Sequence, residues 1–273
     1  MLLRVYFVLF VVLNLTTKDT KDFTKSHKGQ KNMTTNQKII NSLNELSNTK
    51  KDIKSLEKFF QVFPGGYGEG DKFIGVSVPN QRLVSKKFYR EASIGELETL
   101  LKSGIHEHRL TALLMLVLKY QKTKVFNEHE QIASLYLNNL DYVNGWDLVD
   151  SSAHLIVGVY VVESSKYSIL DELAESNHLW KQRVSIIATY YLIRQGNFEH
   201  TLRISEKLLH HKHDLIHKAV GWMLREVGNR SLKDELPFLD KYAHSMPRTM
   251  LRYAIEKFEP ELKAKYLGMR NKV

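Results

Sequence analysis

The 273-residue sequence contains no cysteine. Disulfide staples and cysteine-based zinc sites are therefore excluded, and the chain suits a reducing compartment. Proline is scarce at five residues, and glycine supplies only 14. So few turn-formers leave little material for the many hairpins of an all-β chain. Long apolar runs are also missing. The longest lies within Met1–Leu15 and stops short of the roughly 20 residues that a membrane-spanning helix needs, so no membrane partner is expected.

What is present is apolar mass and positive charge. With 43% hydrophobic residues the chain can bury one or two sizeable cores. A formal charge of +10 and a pI near 9.4 favour polyanionic partners, meaning nucleic acid or an anionic surface. The first 32 residues are a case apart. An apolar run after Arg4 is followed by a polar, lysine-rich stretch from Thr16 to Asn32, which reads as disordered. Met33 directly precedes a strong helix pattern. Residues 1–32 are therefore read as a spurious or disordered extension, with a signal-like segment as the rival, although no small-x-small cleavage pattern follows. Without them the charge falls to +6, because they hold six Lys/Arg and two Asp/Glu. Residues 33–273 form the functional domain on this reading.

From Thr34 onward the pattern is helical almost throughout. Ile39-Ile40, Leu43 and Leu46 recur at amphipathic spacing. Ser93-Ile94-Gly95-Glu96 has the form of a capping box. Pro79 opens a helix carrying Arg82, Val84 and Phe88 after the extended Phe73–Val78 stretch. The glycine-dense Pro64–Gly70 loop lacks the strand and Gly-Lys-Ser/Thr of a phosphate-cradling P-loop, but could be mobile near a ligand, with Tyr67 as its aromatic tip. About a dozen helices of 10–16 residues follow one another, joined by short polar loops.

One element recurs: a basic residue near a helix start, a small residue, then an apolar run. It stands at His108-Arg109, Gln182-Arg183, His217-Lys218 and Leu251-Arg252. The spacing, about 35–37 residues for two helices, predicts an all-α fold, an α-solenoid of HEAT-like helical repeats. A basic residue on each inner helix would give one curved domain a positive concave face suited to a phosphate backbone. The plain alternative is that these are ordinary solvated charges.

The chemistry centres on Asn144-Gly145-Trp146-Asp147-Leu148-Val149-Asp150-Ser151. Trp146 and Asp150 are four apart, so they share a helix face. An indole beside a carboxylate suits a flat, cationic ligand. Taken alone, the stretch reads at least as well as a core tryptophan with acids in a first helical turn. The neighbouring repeats tip the balance, because Arg183 and Trp222 fall on the next two inner helices. Arg183 could hold a phosphate bidentately. His210-His211-Lys212-His213 with His217 has partial metal-ligand spacing but no accompanying carboxylate triad. It is read as a solvated basic loop, and no metal or other cofactor is expected.

At these residues the chain resembles the DNA alkylation repair enzymes of the AlkD type, HEAT-like glycosylases that excise N3- and N7-alkylated purines. The resemblance rests on Trp146-Asp147-Leu148-Val149-Asp150, Trp180–Arg183 and Lys218–Glu226, with weaker likeness at Phe73–Pro79, Arg82 and Pro247–Ala254. It implies Asp150 as catalytic carboxylate, Trp146 and Trp222 as lesion contacts, and Arg183 on the DNA backbone. Arg109, Lys218 and Arg225 are weaker backbone matches, and Tyr67 is a possible loop contact. It further implies a monofunctional enzyme of base excision repair acting on double-stranded DNA, without inserting the lesion into a tight pocket. A monomer in the cytoplasm, on the nucleoid when bound, is the corresponding expectation. The competing class is a non-catalytic HEAT-like scaffold that binds DNA or protein.

Overall fold

The computed structural model describes residues 33–47 and 50–269, the side chains of 50–52 excepted. The expectations for residues 1–32 lie outside the described residues. The described residues are helical with one isolated parallel β-bridge, Lys72 to Ile105. The fold is an all-α helical-repeat array, as the sequence predicts. It divides into two compact units, the first ending at Lys122 and the second beginning at Thr123.

The first unit holds α1 (Thr35–Glu45), α2 (Lys50–Phe59), α3 (Val78–Phe88), α4 (Ile94–Leu101) and α5 (His106–Lys122). Capping boxes start α1 at Thr34 and α4 at Ser93. Pro79 sits in the first turn of α3, where its missing N–H costs nothing. α5 is the central element, packed by α3 and α4. Its buried surface continues almost all round from His106 to Val117, so its sequence carries little amphipathic signal.

Two carboxylates tie the loop before α3 to α5. Glu107 is buried and accepts backbone N–H groups from Ile74, Gly75 and Val76 at 2.8–3.3 Å. Asp71 accepts from Arg109 at 2.6 Å and lies 2.8 Å from His106 Nδ1. The Pro64–Gly70 loop closes on itself: the Tyr67 hydroxyl donates to the Phe59 carbonyl, and Glu69 accepts from the Gly65 N–H. Gly65 and Gly70 adopt φ of +80° and +86°, values that favour glycine.

The second unit contains α6 (Phe126–Asn138), α7 (Trp146–Asp150), α8 (Ala153–Glu163), α9 (Ser168–Ala174), α10 (Leu179–Arg194), α11 (Glu199–Lys207), α12 (Asp214–Gly228), α13 (Leu232–Tyr242), α14 (Arg248–Ala254) and α15 (Pro260–Gly268). α8, α10, α12 and α14 pack side by side in one row. α9 and α11 pack on each other and on α10, forming an outer layer that α13 extends against α12. The inner segments start at 146, 179, 214 and 248, which are 33, 35 and 34 residues apart. That is the expected two-helix period, slightly short.

Glycine sets the closest approaches in the row. A Cβ on Gly158 would stand 2.4 Å from the Ala188 carbonyl oxygen, and one on Gly221 would stand 2.4 Å from that of Met250. Both are at helix crossings that a methyl group would force apart. The sequence predicts one helix from Trp146 to about Val162. The structure breaks it at Ser151–Ser152, where Ser152 has φ −132° and ψ −40°. The Ser152 hydroxyl donates to the Leu148 carbonyl and pairs with the buried Tyr136 hydroxyl at 3.0 Å. The apolar pattern runs through this break unbroken, so periodicity could not reveal it. α15 was not anticipated either.

Candidate active site on the inner helices of the second unit

Asp150 ends the short helix α7, and the break after it separates this carboxylate from the body of α8. Asp150 is 5% exposed. Both its oxygens are taken by one guanidinium from α10: Arg183 Nε donates to Oδ1 at 3.0 Å and Nη2 to Oδ2 at 2.8 Å. Arg183 Nη1 donates to the Leu215 carbonyl in the first turn of α12. One side chain thus ties three successive inner segments together. Burial pushes the Asp150 carboxyl above its ordinary value, Arg183 opposes the push, and Asp147 adds to it.

The flanks are aromatic. Trp146 is half-buried one turn before Asp150. Trp222 on α12 is half-buried, and its indole N–H donates to Glu226 at 3.2 Å. Arg230 also donates to Glu226, at 3.0 Å, and lies over the Tyr190 ring at 5.7 Å. Tyr190 stands 6.0 Å from Trp222 at a tilt of 40°, and 5.3 Å edge-on from His154. Burial and the nearby Arg194 push His154 down to about 4, with the Asp150 carbonyl opposing. The His154 ring is therefore neutral at physiological pH.

Tyr190 and His154 were missed from sequence. Tyr190 lies seven residues after Arg183, two turns along the same helix face, and that spacing was the available signal. The structure pairs Asp150 with Arg183, places Trp146 on the same short helix as Asp150, and places Trp222 on α12 against Tyr190 of α10.

The basic residues fall out differently from the solvated-face expectation. Arg183 is 4% exposed, and three of its N–H groups are committed to Asp150 and Leu215, so its first role is as carboxylate partner. Arg225 is 5% exposed and paired with Glu256. Arg109, in the first unit, is 3% exposed and closed on Asp71 and the Ser103 carbonyl. Buried guanidinium groups held this way present little charge to a phosphate. The reason is elementary: a carboxylate within reach is the cheapest way to keep a desolvated guanidinium charged. Lys218 remains at the surface, paired with Asp214 one turn earlier. Tyr67 is half-buried within its own loop.

The histidine stretch uses its rings locally. His213 caps α12 by accepting the Leu215 N–H, His211 pairs with Gln182 at 2.9 Å, and His217 meets the His211 carbonyl.

A buried carboxylate held through both oxygens by an arginine of the next inner helix, with Trp146 one turn before it, sits between two repeats of a helical-repeat protein. The chain belongs to the DNA alkylation repair enzyme family, whose model matches residues 39–258. A solved structure from Enterococcus faecalis, described as a predicted DNA alkylation repair enzyme, shares the fold with a TM-score of 0.62. It is 14% identical, and the match covers 79% of this chain and 98% of that one. A search of curated proteins gives no match. Among the described residues no helix is long and apolar enough to cross a membrane.

Proposed function

We propose that the protein is a monofunctional DNA glycosylase that hydrolyses the N-glycosidic bond of cationic N3- and N7-alkylated purines in duplex DNA. The observation that carries the reading is the buried Asp150 carboxylate, gripped through both oxygens by Arg183 and bordered by Trp146 on its own helix. Alkylation makes the purine a good leaving group, so the developing charge is the oxocarbenium character of the sugar. A carboxylate in a poorly hydrated site stabilises that charge far better than one in water.

Arg183 favours the ionised form of Asp150 against its burial and fixes the plane of the carboxylate. Each oxygen retains a further lone-pair direction for the sugar or for the water that captures it. The π-faces of Trp146 and Trp222 hold the cationic nucleotide. Asp150 needs no proton transfer to the leaving base, because the base departs neutral. The protein works as a monomer without metal or cofactor, on DNA in the cytoplasm.

The buried pair also fits a second reading, in which Asp150 merely satisfies Arg183 in a non-catalytic DNA-binding scaffold. Incubation with duplex DNA carrying N7-methylguanine, with free base followed by chromatography, separates the two. Release by the wild type and not by Asp150→Asn, with DNA binding retained, supports the glycosylase. No release by either, with salt-sensitive binding intact, leaves the scaffold.

A further inference from the structure

The helix break after Asp150 is held from outside its own helices. From Asp147 to Ile156 the chain has no proline and no glycine, so the break has neither of the usual backbone causes. At Ser152 the backbone N–H turns to the Val149 carbonyl at 3.1 Å, and the Leu148 carbonyl loses the partner that a continuous helix would give it. The Ser152 hydroxyl takes that carbonyl instead. A serine hydroxyl has one hydrogen, and Ser152 spends it on Leu148. In the 3.0 Å pair with Tyr136 the tyrosine hydroxyl is therefore the donor. The relay runs one way, from Tyr136 on α6 through Ser152 to the carbonyl of Leu148, two residues before Asp150.

Tyr136 and Ser152 are both fully buried. α6 packs on α8, so the tyrosine is anchored on a helix that belongs to neither side of the Asp150–Arg183 pair. Burial pushes the Tyr136 hydroxyl above its ordinary value, its bond to Ser152 opposes the push, and the charge of Asp150 adds to it. The phenol thus stays protonated, a standing donor within electrostatic reach of the carboxylate. The φ of −132° at Ser152 departs by about 70° from the helical value. A turn of that size, two residues after Asp150, sets the direction of α7 against α8.

We infer that Tyr136 and Ser152 are positioning residues for Asp150, their hydroxyl relay holding the break that aims the carboxylate at Arg183 and at the reacting sugar. This rests on the reading of Asp150 as the catalytic carboxylate. The grip on Asp150 is directional, because Nε and Nη2 of Arg183 each need an oxygen near the guanidinium plane. Without the relay the Leu148 carbonyl is orphaned in a buried site. The cheapest repair is to let α7 and α8 run on as one helix, which swings Asp150 off that plane. Neither residue touches the substrate; both act through the carboxylate.

The test is single-turnover release of 7-methylguanine from duplex DNA at saturating full-length protein, beside fluorescence anisotropy for DNA affinity and thermal melting. Tyr136→Phe and Ser152→Ala should each lower the release rate of the folded protein about 10-fold or more, with the Kd for DNA changed by less than about 2-fold. Because both hydroxyls serve one relay, the double variant should fall little below the singles. Tyr160→Phe is the control. It removes the hydroxyl of another buried tyrosine, which donates to Glu130 at 3.1 Å, and should leave the rate unchanged. An unchanged rate in folded Tyr136→Phe, or an equal loss in Tyr160→Phe, overturns the inference. Should Tyr136→Phe fail to fold, Ser152→Ala, which deletes a single oxygen, decides on the same two readings. A wild type that releases no base counts against the glycosylase alone, and crystal structures of the variants then decide. Asp150 still held through both oxygens by Arg183 sinks the relay, and a displaced carboxylate supports it.

Discussion

Each unit buries one arginine–aspartate pair, and the two pairs differ in a way that separates scaffold from chemistry. In the first unit Asp71 meets Arg109, with side chains 7% and 3% exposed; in the second Asp150 meets Arg183, each 5% exposed. Side-chain exposure is alike, but the grip and the company are not: Arg183 takes both oxygens of Asp150, whereas Asp71 gives one to Arg109 and the other to His106. Burial alone would raise the Asp71 carboxyl, yet His106 and Arg109 together hold it below its ordinary value. Asp150 has Arg183 alone against its burial, with Asp147 working the wrong way, and ends raised. Asp71 is over-compensated and closes a loop onto a helix. Asp150 is left with unspent negative potential, which is what a developing cation uses. Glu235 extends the series. It is fully buried, neither oxygen has a hydrogen-bond partner, and burial pushes it up to about 9.

The largest expected effects set the two aspartates against each other. Asp150→Asn should lower base release about 100-fold or more with little change in DNA affinity. Asp71→Asn should cost about 3–5 kcal/mol of stability, because it strands Arg109 without its anion, while base release by the folded fraction persists. Urea unfolding and a base-release assay on both variants check this, and equal behaviour of the two would erase the distinction drawn here.

Acid should expose the surroundings of Asp150 first. His154, lowered to about 4 from 6.5, stays neutral in the fold but charges in the unfolded chain. Its contribution is complete above pH 6.5 and is lost as pH falls toward 4, up to about 3 kcal/mol in all. Asp71, held below 3.8, keeps its full contribution above that value and loses it only as the pH falls from there through its lower folded value. Relative to His154→Gln, the wild type should therefore lose stability as pH falls from 7 to 4, the difference between the two curves isolating this group.

Glu235 works in the opposite direction. It is protonated in the fold and ionised when unfolded, so its cost is absent below pH 4.5 and grows as pH rises toward 9. Glu235→Gln should stabilise the protein at pH 7 by roughly 1–3 kcal/mol and not at pH 4. The smallest effect is kinetic. Base release should fail on acidification at a pH above the ordinary carboxylate value, because Asp150 is raised. Arg183→Lys should move that limb further up, since a point charge replaces a bidentate clamp.

Much of this arrangement was legible in the amino acids. Capping residues at Thr34 and Ser93, the apolar spacing of α1 and the repeating period all follow from local rules, and α1 and α4 start where those rules put them. Trp146, Asp150, Arg183 and Trp222 could be grouped by repeat position and by family resemblance. Their connectivity could not, because an Asp150–Arg183 pair separated by 33 residues depends on which faces of two helices meet. The same limit hid the burial of Arg109 and Arg225. A charge pattern shows where a basic residue falls in the repeat, but not whether a carboxylate such as Asp71 or Glu256 waits opposite. The break at Ser151–Ser152 was invisible for another reason: its serines are compatible with a helix, and the buried Tyr136 hydroxyl that stabilises the break arrives from an earlier helix.

The notch at Gly158 works as a gauge. Across it, α8 meets the backbone of α10 at the Ala188 carbonyl, with the Tyr191 Cβ beside it. The separation of these two helices is therefore set by covalent dimensions rather than by the volume of whichever core residues lie nearby. Arg183 stands on the same α10, and its reach to Asp150 on α7 begins from the position this crossing gives that helix. Core residues can drift by a methyl group without changing the length of the reach, whereas a single added carbon at position 158 would reset it.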